Sequence, residues 1–211
     1  KELLYALSGE DLRAAPAMVQ LAGQNAGQLD PRARRALGLH FVPEERLGRG
    51  AVPGMALAHN LLLTRSDALG AGGWIRMGQL QAQARAIIER FQVKAAGPQA
   101  LAQSLSGGNL QKFIVGREMD ANNSVLIVSQ PTWGVDVGAA QQIRAAILAL
   151  RDVGCAVLVL SEELDELFDL SDRLHVIAKG HLSPSIDRAD ATVERLGEWM
   201  SGLWQADMAA P

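Results

Sequence analysis

Leu105-Ser106-Gly107-Gly108-Asn109-Leu110-Gln111-Lys112 gathers the most chemistry into the fewest positions of this chain. Ser106 offers a hydroxyl, and Gly107 and Gly108 leave backbone N–H groups unobstructed. Leu110, Phe113 and Ile114 then begin an apolar helical stripe. A helix start carries unpaired N–H groups and the positive end of the helix dipole, so this arrangement can receive an anion. The plainer reading is a serine N-cap, and Leu-Ser-Gly-Gly arises by chance in roughly 1% of chains of this length. Further polar groups close short aliphatic runs: Ser129-Gln130-Pro131-Thr132-Trp133-Gly134-Val135-Asp136 after Val125–Val128, Ser161-Glu162 after Ala156–Leu160, and Pro43-Glu44-Glu45-Arg46 after Leu37–Val42. His40, His59, His175 and His181 share no metal-ligand spacing with one another or with Cys155, so no metal site is expected. Glu162, Glu163, Asp165 and Glu166 lack the glycine and oxygen spacing of a calcium loop and are expected to be a solvated helix N-terminus.

The elements that must position these groups alternate between two periodicities. Ala17–Leu21 and Leu37–Val42, bounded by turn formers, read as strands. Val125–Val128, Ala156–Leu160 and Leu174–Ala178 lack polar alternation, as strands buried on both faces of a parallel sheet do. Val137–Val153 places Val137, Ala140, Ile143, Ile147 and Leu150 on one helical face, and Glu163–Leu170 is a second amphipathic segment. Strand–helix–strand alternation implies right-handed crossovers and an α/β fold with a parallel sheet. From His59 to about Met119 no strand is expected. Arg76–Gln92 instead carries Leu80, Ala84, Ile87, Ile88 and Phe91 along one stripe, so a helical segment interrupts the core. Val193, Leu196, Trp199, Met200 and Leu203 predict a terminal helix before an Ala-rich tail. Trp199 is expected to be packed, and Trp133 is divided between packing and an interface. Cys155 reads as a small hydrophobe.

Composition bounds the classes. The 211 residues hold 20 Lys+Arg and 23 Asp+Glu, a formal charge of −3, which argues against a nucleic-acid backbone as partner. Hydrophobic residues make up 48% and charged residues 20%, as in folded chains rather than disordered ones. The longest purely aliphatic runs are far short of a bilayer span, one cysteine suits a reducing compartment, and Lys1–Glu10 does not read as a leader. A soluble cytoplasmic protein is expected. Leu3, Leu4 and Leu7 start a helix at once, stopped by Ser8-Gly9, so the chain is expected to be cut from a longer one.

In order and spacing these motifs resemble the ATP-binding cassette (ABC) ATPases. The chain looks like the second cassette of tandem-cassette importers for simple sugars and nucleosides. Asn109 and Lys112 support that subgroup, as does Phe41-Val42-Pro43-Glu44-Glu45-Arg46 followed by Gly50 and Asn60; the likeness runs from Lys1 to about Leu182. The resemblance implies a P-loop NTPase core at 1–50 and 120–186, a helical subdomain with the signature at 51–119, and a C-terminal helix and tail at 187–211. It implies that Ser106, Gly107, Gly108 and Asn109 contact ATP held by the opposing cassette. Glu44 stands at the Q-loop position, Ser129 at the Walker B position, and Asp136 is the D-loop acid facing the partner. The stretch near Val52–Leu62 lies where a permease subunit docks. The protein is then a peripheral subunit on the cytoplasmic face of the inner membrane, with ATP and Mg²⁺ in the full assembly and another cassette and transmembrane permease subunits as partners.

Departures from the family pattern qualify that picture. The P-loop is expected to be missing, with Lys1 near its final Ser/Thr position. Ser129 replaces the Walker B Asp and supplies no negative charge, and Gln130 replaces the catalytic Glu and cannot accept a proton at neutral pH. Glu162 stands at the switch-His position. Carboxylates at 44 and 162 would each repel a phosphate charge by about 4 kcal/mol at ~4 Å and an effective dielectric near ~20. The chain is therefore expected not to hydrolyse ATP by itself, while its signature serves the partner. The alternative is a non-catalytic scaffold for dimerisation and permease docking. Ser129-Gln130 before Pro131-Thr132, and Glu162, look like the nucleoside-uptake branch.

Overall fold

A computed structural model describes residues 2–71, 74–119 and 123–206, with residues 66–71 and 205–206 as backbone alone. The chain forms two units, 1–160 and 161–211. The first opens with α1 (Glu2–Ser8) and a hairpin of β1 (Gln20–Leu21) against β2 (Gln24–Asn25). Then come α2 (Pro31–Ala36) and β3 (Leu39–Val42). Asp30 caps α2 by accepting the Ala33 N–H at 2.7 Å, and Pro31 supplies a pre-set first turn. The helical stretch holds α3 (Leu57–Asn60), α4 (Leu62–Leu69), a hairpin of β4 (Gly70–Ala71) and β5 (Trp74–Ile75), α5 (Met77–Arg90) and α6 (Gly107–Met119). β6 (Val125–Ser129), α7 (Val137–Asp152) and β7 (Ala156–Leu160) complete the unit.

β3, β6 and β7 form one parallel sheet in the order β3-β6-β7, with Val42 opposite Val128 and Ser129 opposite Leu160. β6 is the middle strand and its Leu126, Ile127, Val128 and Ser129 are all buried. One cluster joins Ile127 and Leu39 to Leu4, Leu21 and Ala26 of the N-terminal segments. α6 packs against β3 and α7. The fully buried Arg34 donates from its guanidinium to the carbonyls of Ala6, Leu7 (2.7 Å), Gly27 (3.1 Å) and Leu29 (2.8 Å), which ties the end of α1 to the loop before α2.

The second unit contains α8 (Leu164–Leu170), β8 (Arg173–Leu174), β9 (Ile177–Ala178), β10 (His181–Leu182), β11 (Ile186–Asp187) and α9 (Val193–Met200). Its own core gathers Leu174, Ala178, Ile186, Ala191, Leu196, Trp199 and Trp204. Trp199 is packed, as expected. Among the described residues no helix is long and apolar enough to cross a membrane.

Several expectations are corrected. Leu174–Ala178 is not one strand of the parallel sheet: β8 pairs antiparallel with β11 and β9 with β10. The break falls where the Val176 N–H donates to Ser183 Oγ (2.8 Å), and a left-handed Lys179-Gly180 turn folds β10 back. Ala17–Leu21 shrinks to β1 because Pro16–Met18 takes a 3₁₀ turn. The helical stretch, expected to lack strands, contains β4–β5. β7 is an edge strand with Ala156 and Leu158 exposed, and Val137 points to solvent at the first turn of α7. Glu166 is buried on the α8 face it shares with Leu170, whereas Glu162, Glu163 and Asp165 are exposed. Cys155 is buried just ahead of β7, where burial raises its thiol pKa. The expectations at Lys1, at the 120 boundary and for the tail beyond 206 lie outside the described residues.

Candidate functional site

Because β3, β6 and β7 are parallel and in register, the loops that leave them emerge at one edge of the sheet, where open α/β sheets bind ligands. Glu44 is exposed two residues beyond β3, and Ser129 is buried at the end of β6. Gln130 is half-buried at φ 51°, a left-handed conformation uncommon for a residue with a Cβ. Its N–H donates to Leu160 O at 2.7 Å, and its carbonyl accepts the Trp133 N–H at 3.3 Å. Glu162 follows the same strand β7 by two residues and is exposed in the second unit.

The N-terminal end of α6 is open. Ser106 and Gly107 are exposed, and Gly108 and Asn109 are half-buried. Ser106 acts as the helix cap: its Oγ accepts the Asn109 N–H at 3.4 Å and Asn109 Nδ2 at 2.9 Å, and its carbonyl accepts the Leu110 N–H. Asn109 Oδ1 in turn accepts the Lys94 N–H at 2.8 Å, and Lys112 Nζ reaches Gln92 O at 3.3 Å, so the segment after α5 is fastened to the first turns of α6. The N–H groups of Gly107 and Gly108 belong to the turn that has no intrahelical acceptors. A Cβ on Gly108 would meet only Val135, at 3.6 Å, so this glycine lies against the loop after β6.

A residue whose side-chain role the motifs did not reveal joins the two loops. Arg46 Nε donates to Gln111 Oε1 at 3.1 Å, Gln111 Nε2 donates to Pro131 O at 3.1 Å, and Arg46 Nη2 donates to Trp133 O. A Cβ on Gly107 would stand 2.7 Å from Arg46 Nη1, and one on Gly134 3.8 Å from it. Desolvation lowers the Arg46 pKa. Trp133 is exposed outside either core, and its backbone rather than its ring takes the internal contact. Spacing alone gave no signal for this arrangement, because residues 46, 111 and 131–133 meet only in the folded chain.

The far end of α6 is closed by charge. Glu118 is fully buried; its Oε1 is 2.7 Å from Arg117 Nε, and its Oε2 is 2.8 Å from Arg35 Nη1 and 3.2 Å from His40 Nδ1. Burial would raise the Glu118 pKa, but the Arg117 charge, the His40 hydrogen bond and the Arg35 charge together hold it well below the usual carboxylate range. Arg117 also donates to Asn60 O at 3.2 Å, and Asn123 Nδ2 donates to Glu118 O at 2.7 Å. Buried Asn60 shapes the stretch before α3: Oδ1 accepts the Val52 N–H (2.8 Å), and Nδ2 donates to Met55 O (3.1 Å) and Ala56 O (3.2 Å).

Comparison with known proteins finds no matching family model. The chain is 40% identical over 215 residues to the glucose import ATP-binding protein TsgD13 of Haloferax volcanii, a match to 100% of this chain and 39% of that protein. It is 36% identical to the guanosine import ATP-binding protein NupO of Bacillus subtilis, over 98% of this chain and 41% of NupO. Among solved structures, the ATP-binding cassette MJ0796 bound to ADP and phosphate superposes with a TM-score of 0.66 at 16% identity, over 79% of this chain and 71% of that one. The chain belongs to the ATP-binding cassette family. MJ1267, another such cassette, matches 99% of this ABC chain and 82% of its own length with a TM-score of 0.66 at 18% identity. At these identities the structures speak for the fold. The chain spans about two fifths of the length of the curated relatives.

The donors of this ABC segment suit part of what the family binds. An exposed Ser106 hydroxyl and the Gly107 and Gly108 N–H groups, which have no intrahelical acceptors, fit a phosphate oxygen. The end of β6 does not fit Mg²⁺: Ser129 and Gln130 offer a hydroxyl and an amide, and among the described residues no group of three or more His, Cys, Asp or Glu could hold a metal. Asp136 is exposed, and its carboxylate caps α7 by accepting the Ala139 N–H at 2.9 Å, which lowers its pKa.

Proposed function

We propose that the chain is the second cassette of a tandem-cassette importer for simple sugars or nucleosides, and that it gives its signature to ATP held by the opposing cassette. In this reading Ser106, Gly107 and Gly108 donate to the γ-phosphate in trans, Asn109 holds the Ser106 hydroxyl in place, and Asp136 faces the partner across the interface. Residues 51–119 act as the helical subdomain between the core segments 1–50 and 120–186, and Val52–Leu62 docks the permease at the cytoplasmic face of the membrane. The observation that carries the reading is the contrast within one face. α6 begins at an exposed Ser106-Gly107 whose first-turn N–H groups have no intrahelical acceptors, while β6 ends in the uncharged pair Ser129-Gln130. Donors aimed at a terminal phosphate stabilise charge that develops as it is transferred. ATP and Mg²⁺ supply the hydrolytic chemistry when bound at the partner's site. Gln130, able to orient water but not to deprotonate it, makes this chain's own site hydrolytically degenerate, and by sequence position Glu44 and Glu162 stand where the family pattern has the Q-loop Gln and the switch His. Changing Ser106 to Arg in the intact importer fills the anion site with a bulky cation and is expected to abolish ATP-driven uptake. Unchanged uptake would overturn the assignment and favour a scaffold that makes no nucleotide contact.

A further inference from the structure

We propose that Arg46 is a positioning residue for the trans site, setting the signature end of α6 against the loop that carries Asp136. The inference rests on the signature role proposed above and names the group that holds its geometry. Arg46 reaches two elements at once, Gln111 on the second turn of α6 and Trp133 O in the loop after β6. Gln111 is buried, and its amide is used at both ends, accepting from Arg46 and donating to Pro131 O, so its orientation depends on the guanidinium. The backbone of Arg46 is itself pinned. Its carbonyl accepts the Ala51 N–H at 2.7 Å, and the next residue, Val52, is held by Asn60. Hydrogen bonds and the Ala51–Val52 backbone therefore link the stretch before α3, through Arg46, to α6 and the loop after β6. Gly107 leaves the space that the guanidinium occupies, and Gly134, at φ 59°, turns the loop beside it. Only a planar, forked donor bridges Gln111 Oε1 and Trp133 O together; a lysine ammonium on a flexible stem does not fix the two directions.

The test is ATP turnover against Mg-ATP concentration for the intact importer reconstituted with its permease, carrying Arg46→Ala, Arg46→Lys, Gln111→Leu or, as control, Ser106→Arg. Misplacing the signature by about an ångström is expected to lower kcat about 10- to 100-fold in Arg46→Ala, with KM for Mg-ATP changed by less than about threefold. Arg46→Lys is expected to fail as a rescue, and Gln111→Leu to follow the same split. Normal kcat in Arg46→Ala, full recovery in Arg46→Lys, or a kcat loss no greater than the loss of folded protein by circular dichroism would each overturn the proposal. Ser106→Arg separates the two levels. If it blocks turnover while the Arg46 variants do not, the positioning role alone fails. If it leaves turnover intact, the trans-signature reading fails first.

Discussion

At its N-terminal end α6 exposes Ser106 and Gly107 and leaves first-turn N–H groups without helical partners, whereas from Leu110 to Met119 every residue is buried. The same contrast separates its two interior glycines. Gly108 has room for a methyl group beside Val135, while a Cβ on Gly116 would stand 2.6 Å from the Phe91 ring and 2.8 Å from Ile87. The charged groups divide likewise. Near the signature Arg46 donates to neutral acceptors, Gln111 and a carbonyl. At the far end Glu118 compensates Arg117 and Arg35 inside the protein. The packing and ion pairs that hold the helix are concentrated at one end of it. The closed end anchors α6 to β3 and, through Arg117 and Asn60 O, to α3.

The largest expected effect in breaking that comparison comes from Glu118→Ala. It strands the buried Arg117 guanidinium and removes the partner of the partly exposed Arg35, and is expected to cost about 3–5 kcal/mol, a fall of roughly 10 °C in melting temperature by circular dichroism. Gly116→Ala is next, about 1–3 kcal/mol from overpacking against Phe91 and Ile87. Ser106→Ala removes a helix cap and is expected to cost about 1 kcal/mol, measurable by urea denaturation. Gly108→Ala is smallest in stability and opposite in sign. It is expected to stabilise α6 by up to about 1 kcal/mol, because a methyl group there meets only Val135, at 3.6 Å. A destabilised Gly108→Ala or a neutral Gly116→Ala would contradict the division between the ends.

Acid titration sharpens the same point. The Glu118 carboxyl is held below its ordinary value of 4.5 in the folded chain, so its stabilisation is fully present above that value and is lost as pH falls through the folded pKa. The wild-type melting temperature is expected to fall below about pH 4.5 more steeply than that of Glu118→Gln, which has no such proton to bind. Parallel curves would remove Glu118 as the source. Asp136 contributes in the same direction through its cap on α7.

The sheet and the α6 signature were legible because their signals are local. Val125–Val128 and Ala156–Leu160 have the aliphatic density of parallel strands, and Ser106-Gly107-Gly108 marks a helix start without any partner. Leu174–Ala178 has the same density but folds otherwise, since a serine nine residues after Leu174 competes for the Val176 N–H. Apolar runs alone do not report such a side-chain acceptor. Glu118 and Arg46 were hidden for a further reason. A buried charge is tolerable only with its partners, and those at positions 35, 40 and 117, or at 111 and 133, are brought together by the topology rather than by spacing. Asp136 was legible as a residue of interest, though its cap on α7 came only with the structure.

The most direct test of the account is ATP turnover by the intact importer after the opposing cassette's catalytic glutamate has been replaced by glutamine. Turnover is then expected to collapse to background if, as proposed, the uncharged Ser129-Gln130 pair at the end of β6 leaves this cassette without a base for hydrolysis. Sustained turnover that is lost on a further Gln130→Ala change would show that this cassette hydrolyses ATP itself and would contradict the account.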